Sequence, residues 1–264
     1  MSMRDPGRQL TPRLLRVGQA CAVPALLLLA LEWQARTGAA NSDALAPPSQ
    51  AAGALARAMI DGSMLAATGF TLQAAALGLA IGALLGGSLG MALGLSRRAS
   101  AWGFLSIEVM RPLPSVALIP LAMLIFGFGM TLEVSVIAFA TFWPLLILTQ
   151  AAVRQVEPRL FEVAAALQLS LLARTWKIVL PAMLPRLFVA LRLGVGVSLV
   201  VAVTVEIAAN PYGMGYALML SQQSLNPALM MAWLAWIGAV GFATNALALW
   251  AQHSAARQLG EGLA

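Results

Sequence analysis

The chain has 264 residues, of which 60% are hydrophobic and 10% charged, and its formal net charge is +6. With a mean hydropathy of +0.84 there is too little polar side chain to cover a water-soluble globule, so the composition requires an integral membrane protein. A basic balance can mark a nucleic-acid partner, but no arginine cluster interleaved with aromatics stands on a soluble segment, which argues against that class.

Residues 1–16 form a basic tail carrying Arg4, Arg8, Arg13 and Arg16, expected on the cytoplasmic side. The apolar run 17–33 follows, with Pro24 inside it and Trp33 as an interfacial anchor. Tail and run together look like the charged and apolar regions of a signal peptide, yet residues 35–40 offer only a weak cleavage site, so an uncleaved first transmembrane helix is expected. Pro47 and Pro48 punctuate a more polar connection, and an amphipathic helix is expected over 50–60.

From Met64 to Leu95 the chain is apolar for longer than the ~20 residues that a span needs, and the second span is placed at 69–95. Gly78, Gly82, Gly86, Gly90 and Gly94 recur every four residues. That spacing strips one helix face of side chains and lets a neighbouring backbone come close. Arg97 and Arg98 end the span, an interfacial helix with Trp102 and Glu108 follows over 101–110, and R-P-L-P at Arg111 to Pro114 breaks it. Further spans are expected at 114–130, with Pro120 in its middle, at 134–153, at 187–209 and at 228–250, the last followed by a short tail with Arg257.

Between the fourth and fifth spans lies a polar interruption, VEPRLFEVAAALQLSLLARTWKIVLPAMLP, residues 156–185. Pro158 suits the first turn of a helix, where its missing N–H costs nothing. Leu160, Val163, Ala164 and Leu167 then repeat at helical spacing, with Arg159, Glu162 and Ala166 on another face. Ser170 can cap a second short helix, and Pro181 and Pro185 bound the entry into the next apolar segment. The segment is a helix-turn-helix elbow, too polar to span a bilayer. On charge and periodicity alone it could be no more than an interfacial loop.

With the N-terminus inside and six helices alternating, Arg97, Arg98, Arg154, Arg159, Arg174, Lys177, Arg186 and Arg257 join the four arginines of the tail on the cytoplasmic side, and only Arg36 and Arg57 fall outside. This asymmetry puts the elbow and both termini in the cytoplasm. Arg111 and Arg192 sit at or in the membrane. So does Glu206, near the outer end of the fifth span, either as a pathway residue or as a group that reaches the interface.

Cys21 is the only cysteine and His253 the only histidine. No disulfide within the chain, cysteine metal site or Cys/His nucleophile is therefore available, and His253 reads as a surface residue. The spacing of the acids shows no carboxylate dyad, and no G-x-x-x-x-G-K-S/T phosphate loop is present. The chain is not expected to be an enzyme or to bind a cofactor or metal itself.

The order Glu162, Ala164, Ala165, then Ile178, Leu180, Pro181 resembles the EAA loop of binding-protein-dependent ABC importer permeases. R-P-x-P followed by an apolar run, P-L and F-G-x-G looks like the same family within its nitrate, sulfonate and taurine type. The resemblance covers Pro47 to about Trp250. It implies an all-α, six-helix type I ABC importer transmembrane domain over 17–264, with cytoplasmic coupling helices. It also implies a second copy of the chain, a cytoplasmic ATPase dimer that holds ATP and Mg, a substrate-binding protein, membrane lipid around the bundle and the bacterial inner membrane as location. The residues it makes ATPase-coupling are Arg159, Leu160, Glu162, Val163, Ala164, Ala165, Leu167, Gln168 and Arg174. Leu160, Val163 and Leu167 would give the greasy contact, and Arg159, Glu162 and Arg174 the polar rim. The candidate pathway residues are Glu206, Arg192 and Ser198. The family usually has a glycine where this chain has Gln168, which leaves the turn geometry open because glutamine disfavours positive φ. A channel or secondary carrier with a merely interfacial elbow is the alternative.

Overall fold

The computed structural model describes residues 22–23, 26, 29–36 and 46–261. The basic tail, Cys21, Pro24 and most of the expected first span lie outside the described residues. All regular structure among the described residues is helical. After a helical stretch over 29–36, the chain forms α1 (Pro48–Ile60), α2 (Ser63–Leu95), α3 (Arg97–Met110), a 3-10 turn (Ser115–Leu118), α4 (Ile119–Phe126) and α5 (Met130–Arg154). It continues with α6 (Pro158–Ala166), α7 (Leu171–Arg174), a π turn (Thr175–Val179), α8 (Leu180–Ala208), α9 (Gly213–Gln223) and α10 (Pro227–Glu261).

Among the described residues, four stretches are long and apolar enough to cross a membrane: Ser63–Leu95, Met130–Arg154, Leu171–Ala208 and Pro227–Ala255. A fifth is possible if α3 and the segment Ser115–Phe126, bent by 79° at their junction, count as one broken span. The apolar run 114–130 is therefore not a single straight helix. Pro114 begins a 3-10 turn, and Pro120 falls in the first turn of α4, where it replaces an N–H that would have no partner. Gly127 and Gly129, at φ +70° and +107°, end the helix. The eight residues of α4 reach only ~12 Å at 1.5 Å per residue, short of a bilayer core of ~30 Å.

α2 carries apolar residues on every side, and along its middle, from Thr68 to Gly90, it buries a face of threonine, alanine and glycine. A side chain at Gly78 or Gly94 would strike Ile137 or Val153, and one at Gly86 or Gly90 would strike the backbone carbonyls of Phe142 or Leu146. The glycine row thus forms a backbone-to-backbone seam with α5. α8 packs against both members of this pair: Val201, Ala202 and Val205 meet Ala74, Ala75, Leu132, Val136 and Ile137 in one core. A second core joins α1, the start of α2, α9 and α10 around Met64, Met214 and Trp233. A third, around Ala152, Val153, Val156, Val179 and Met183, fixes the elbow to the end of α5. Large apolar side chains such as Leu84, Leu124 and Phe242 stay on the surface, where lipid or a protein partner must cover them.

Candidate functional site

The elbow is α6, α7 and the π turn. Pro158 stands in the first turn of α6. Leu160 and Ala164, four residues apart on one face, turn inward, and Ala164 is buried while Leu160 and Phe161 pack on the third core. Leu160 is therefore part of the seat of the elbow rather than of its outer surface, because its face of the helix is the one that Val156 and Val179 cover. Val163 and Leu167, on the same stripe by spacing, are nevertheless exposed, together with Leu171, Leu172 and Trp176. These five make an apolar patch that no other described element touches heavily. Arg159, with 86% of its side chain exposed and only a loose 3.8 Å pairing to Glu157, stands beside it, and Glu162 and Ala165 are exposed as well. Arg174 lies over the Phe161 ring, 5.5 Å from its centroid, and its buried Nε has no hydrogen-bond partner among the described residues.

The turn out of α6 resolves the question raised by Gln168. Its φ is +49°, so glutamine adopts the left-handed conformation that glycine would take without strain. The Gln168 N–H donates to Ala165 O and the Leu169 N–H to Ala164 O, both at 3.0 Å. This pair of bonds closes the helix as a Schellman motif. Ser170 then caps α7, accepting from the Ala173 N–H at 3.3 Å. From Leu171 the chain stays helical to Ala208, with Pro185 inside α8, so the elbow and α8 are mechanically continuous.

At the far end of α8 Glu206 is buried. It accepts from Thr71 Oγ1 at 2.6 Å and from the Gly215 N–H at 2.7 Å, and the Met214 N–H donates to Thr71 Oγ1 at 3.0 Å. The carboxylate thus caps the first turn of α9 from outside, where unpaired N–H groups and the helix dipole favour an anion. Gly213 is at φ +89°, and a side chain on it would run into the Glu206 carboxylate. Glu133, from the first turn of α5, lies against Glu206. Asn210 Nδ2 donates to Glu133 Oε2 at 2.5 Å. Glu206 therefore holds α2, α8 and α9 together, and it also borders a cavity of about 370 Å³ shared with Phe128, Asn210 and Tyr216. The acids show no dyad by spacing, yet folding brings Glu133 and Glu206 into contact. The one local hint is an acid placed just after G-x-G at the start of an apolar helix.

Ser198 is buried and its hydroxyl donates back to Val195 O at 3.0 Å, a bond within its own helix that leaves it little to offer a solute. Arg192 is half-buried and donates from Nε to Asn245 Oδ1 of α10 at 3.2 Å. Arg192 and Asn245 border a cavity of about 590 Å³ walled by Leu193, Val197 and Val201 of α8. Of the three candidate pathway residues, Arg192 and Glu206 each line a cavity, at different levels of α8, and Ser198 lines neither.

Among known proteins, the family described as binding-protein-dependent transport system inner membrane component matches residues 78–259. The putative aliphatic sulfonates transport permease protein of Bacillus subtilis is 29% identical over 62% of this chain and 60% of its own length. The taurine transport system permease protein of Escherichia coli is 31% identical over 52% and 50%. A bicarbonate transport system permease protein of Synechococcus elongatus is 29% identical over 71% and 64%. The matches thus span half to two thirds of these relatives. A solved chain of the MetNI methionine ABC transporter, in inward-facing conformations, superposes with a TM-score of 0.60 at 18% identity, covering 72% of this chain and 92% of that one. A second, from an amino acid ABC transporter, gives 0.58 at 19% identity over 77% and 97%. These two show a shared fold.

Proposed function

We infer the function from one premise: the chain belongs to the family of binding-protein-dependent transport system inner membrane components, and it is a multi-pass protein of the inner membrane. It is the permease subunit of an ATP-driven importer, not itself an enzyme. Two copies form the pathway, a cytoplasmic ATPase pair binds ATP and Mg below, and a binding protein delivers the solute from outside. Both termini and the elbow face the cytoplasm. The solute is a small anion, as in the relatives named for sulfonates, taurine and bicarbonate, and two arginines, Arg111 and Arg192, line cavities against α8.

The observation that carries this reading is the elbow. Its apolar patch of Val163, Leu167, Leu171, Leu172 and Trp176 is exposed, flanked by charges without strong partners, and joined without a break to α8, which packs against the α2–α5 pair. A protein that closes on ATP and grips this patch would swing α8, and with it the cavity walls, between two states. Arg159 and Glu162 form the polar rim of that contact; Arg174 braces it from within through Phe161.

The test is ATP hydrolysis in lipid nanodiscs by the chain co-purified with its neighbouring ATPase, with and without loaded binding protein. Hydrolysis should rise with loaded binding protein, and Glu162→Arg should leave the chain folded while abolishing that stimulation. Normal coupling in this variant refutes the role of the elbow. The buried Glu133–Glu206 contact is the single observation that favours a proton-coupled carrier instead. Solute uptake that proceeds without nucleotide would establish that alternative.

A further inference from the structure

A cavity of about 420 Å³ lies between the 3-10 turn, α5 and α8. Arg111, Ser115 and Trp143 line one side, and Leu193, Val197 and Val201 of α8 line the other. Trp143 falls near the middle of α5, a helix of 25 residues. At 1.5 Å per residue that is ~20 Å from its Met130 end, which is mid-depth for a bilayer. Its indole N–H is buried and has no acceptor among the described residues. Phe139 and Phe142 meet the ring edge-on, with centroids at 5.7 and 4.8 Å and planes at 80° and 84°. Packing therefore fixes where this N–H points, and a buried donor without an acceptor is unfavourable until something accepts it.

Arg111 brings a guanidinium to the same cavity. Its one carboxylate neighbour among the described residues, Glu108, is 3.7 Å away, with both side chains about half exposed. That is too long for a charge-assisted hydrogen bond. Ser115 adds a hydroxyl, and no acid lines the space. The lining of the cavity thus carries one cation, one hydroxyl and the Trp143 ring with its buried, unpartnered N–H, against an apolar wall, in a place where an unmatched charge is costly.

We propose that this cavity is a holding station for a small singly charged oxyanion, inorganic or the headgroup of a sulfonate, bound by Arg111, Trp143 Nε1 and Ser115. The importer reading supplies the direction of travel, while the binding itself follows from the three donors. The same α8 side chains, Leu193, Val197 and Val201, border the cavity that holds Arg192, so the wall of the station is part of the helix that the elbow moves.

Equilibrium binding of radiolabelled methanesulfonate to the permease–ATPase complex in nanodiscs, without binding protein, tests this. Saturable binding is expected, with no competition from methanesulfonamide, the neutral analogue of similar size. Arg111→Gln should weaken it by about tenfold or more and Trp143→Phe, which keeps the ring, by about threefold. Glu108→Gln, which frees Arg111, should tighten it by about twofold to fivefold. This gain cannot come from a damaged fold. Absence of saturable binding to the wild-type complex, or binding unchanged by all three substitutions, overturns the station while leaving ATPase coupling intact. Loss of nucleotide coupling with the binding pattern preserved instead overturns the importer reading and keeps the station.

Discussion

At its Ala208 end α8 is fastened by a buried carboxylate with donors from two other helices; at its elbow end the polar groups are nearly all in the open. Glu206 meets Thr71 and the start of α9 within hydrogen-bond distance, while Arg159 and Glu162 have only solvent or loose partners around them. The comparison teaches which end is held within the chain and which leaves its groups open to another molecule. A buried carboxylate whose two oxygens both accept hydrogen bonds favours one arrangement, whereas exposed apolar and charged groups leave their energy to be gained on contact with something else.

The sharpest way to break the contrast is Gly213→Ala. The substitution combines a positive φ with a collision against Glu206, and it should lower stability by about 2–5 kcal/mol, measured by unfolding in detergent. A loss under ~1 kcal/mol would show that the cluster yields easily. Glu206→Ala strands the Gly215 N–H in a buried space, while the Thr71 hydroxyl keeps Ala67 O as an acceptor at 3.1 Å, and it should cost about 1–3 kcal/mol. Glu206→Gln, which keeps an acceptor, should cost less than half as much. Equal losses would mean that charge, not hydrogen bonding, holds the joint. At the elbow the expected effect is smaller and of opposite sign. Gln168→Gly removes a left-handed glutamine without touching a contact and should stabilise by about 1 kcal/mol. Destabilisation there would mean that the Gln168 side chain makes an interaction that outweighs its backbone strain.

Most of the architecture could be read from local pattern. The glycine row of α2, the proline that opens α6 and the serine that caps α7 are each signals within a few residues of their effect. The site was legible only where it is local. That the elbow exposes Val163 and Leu167 but seats Leu160 depends on Val156 and Val179, which flank α6 and fold back on one side of it. The contact of Glu133 with Glu206, and the orphan N–H of Trp143 beside Arg111, join residues far apart in the chain. No periodicity within a helix encodes which side chains of two different helices will meet. Gln168 is the reverse case: its unfavourable backbone was recognisable in advance, but only the structure shows that the chain accepts the strain and keeps the turn.

The seam between α2 and α5 has a mechanical consequence. Where Gly86 and Gly90 lie against the carbonyls of Phe142 and Leu146, there are no side-chain rotamers to rearrange and no gap into which either helix can slip. The two helices therefore form a plate that resists shear, and relative motion is confined to softer boundaries filled by side chains. On the importer reading proposed above, this plate would be the stator, and α8, levered at the elbow and pinned at Glu206, the arm that turns against it.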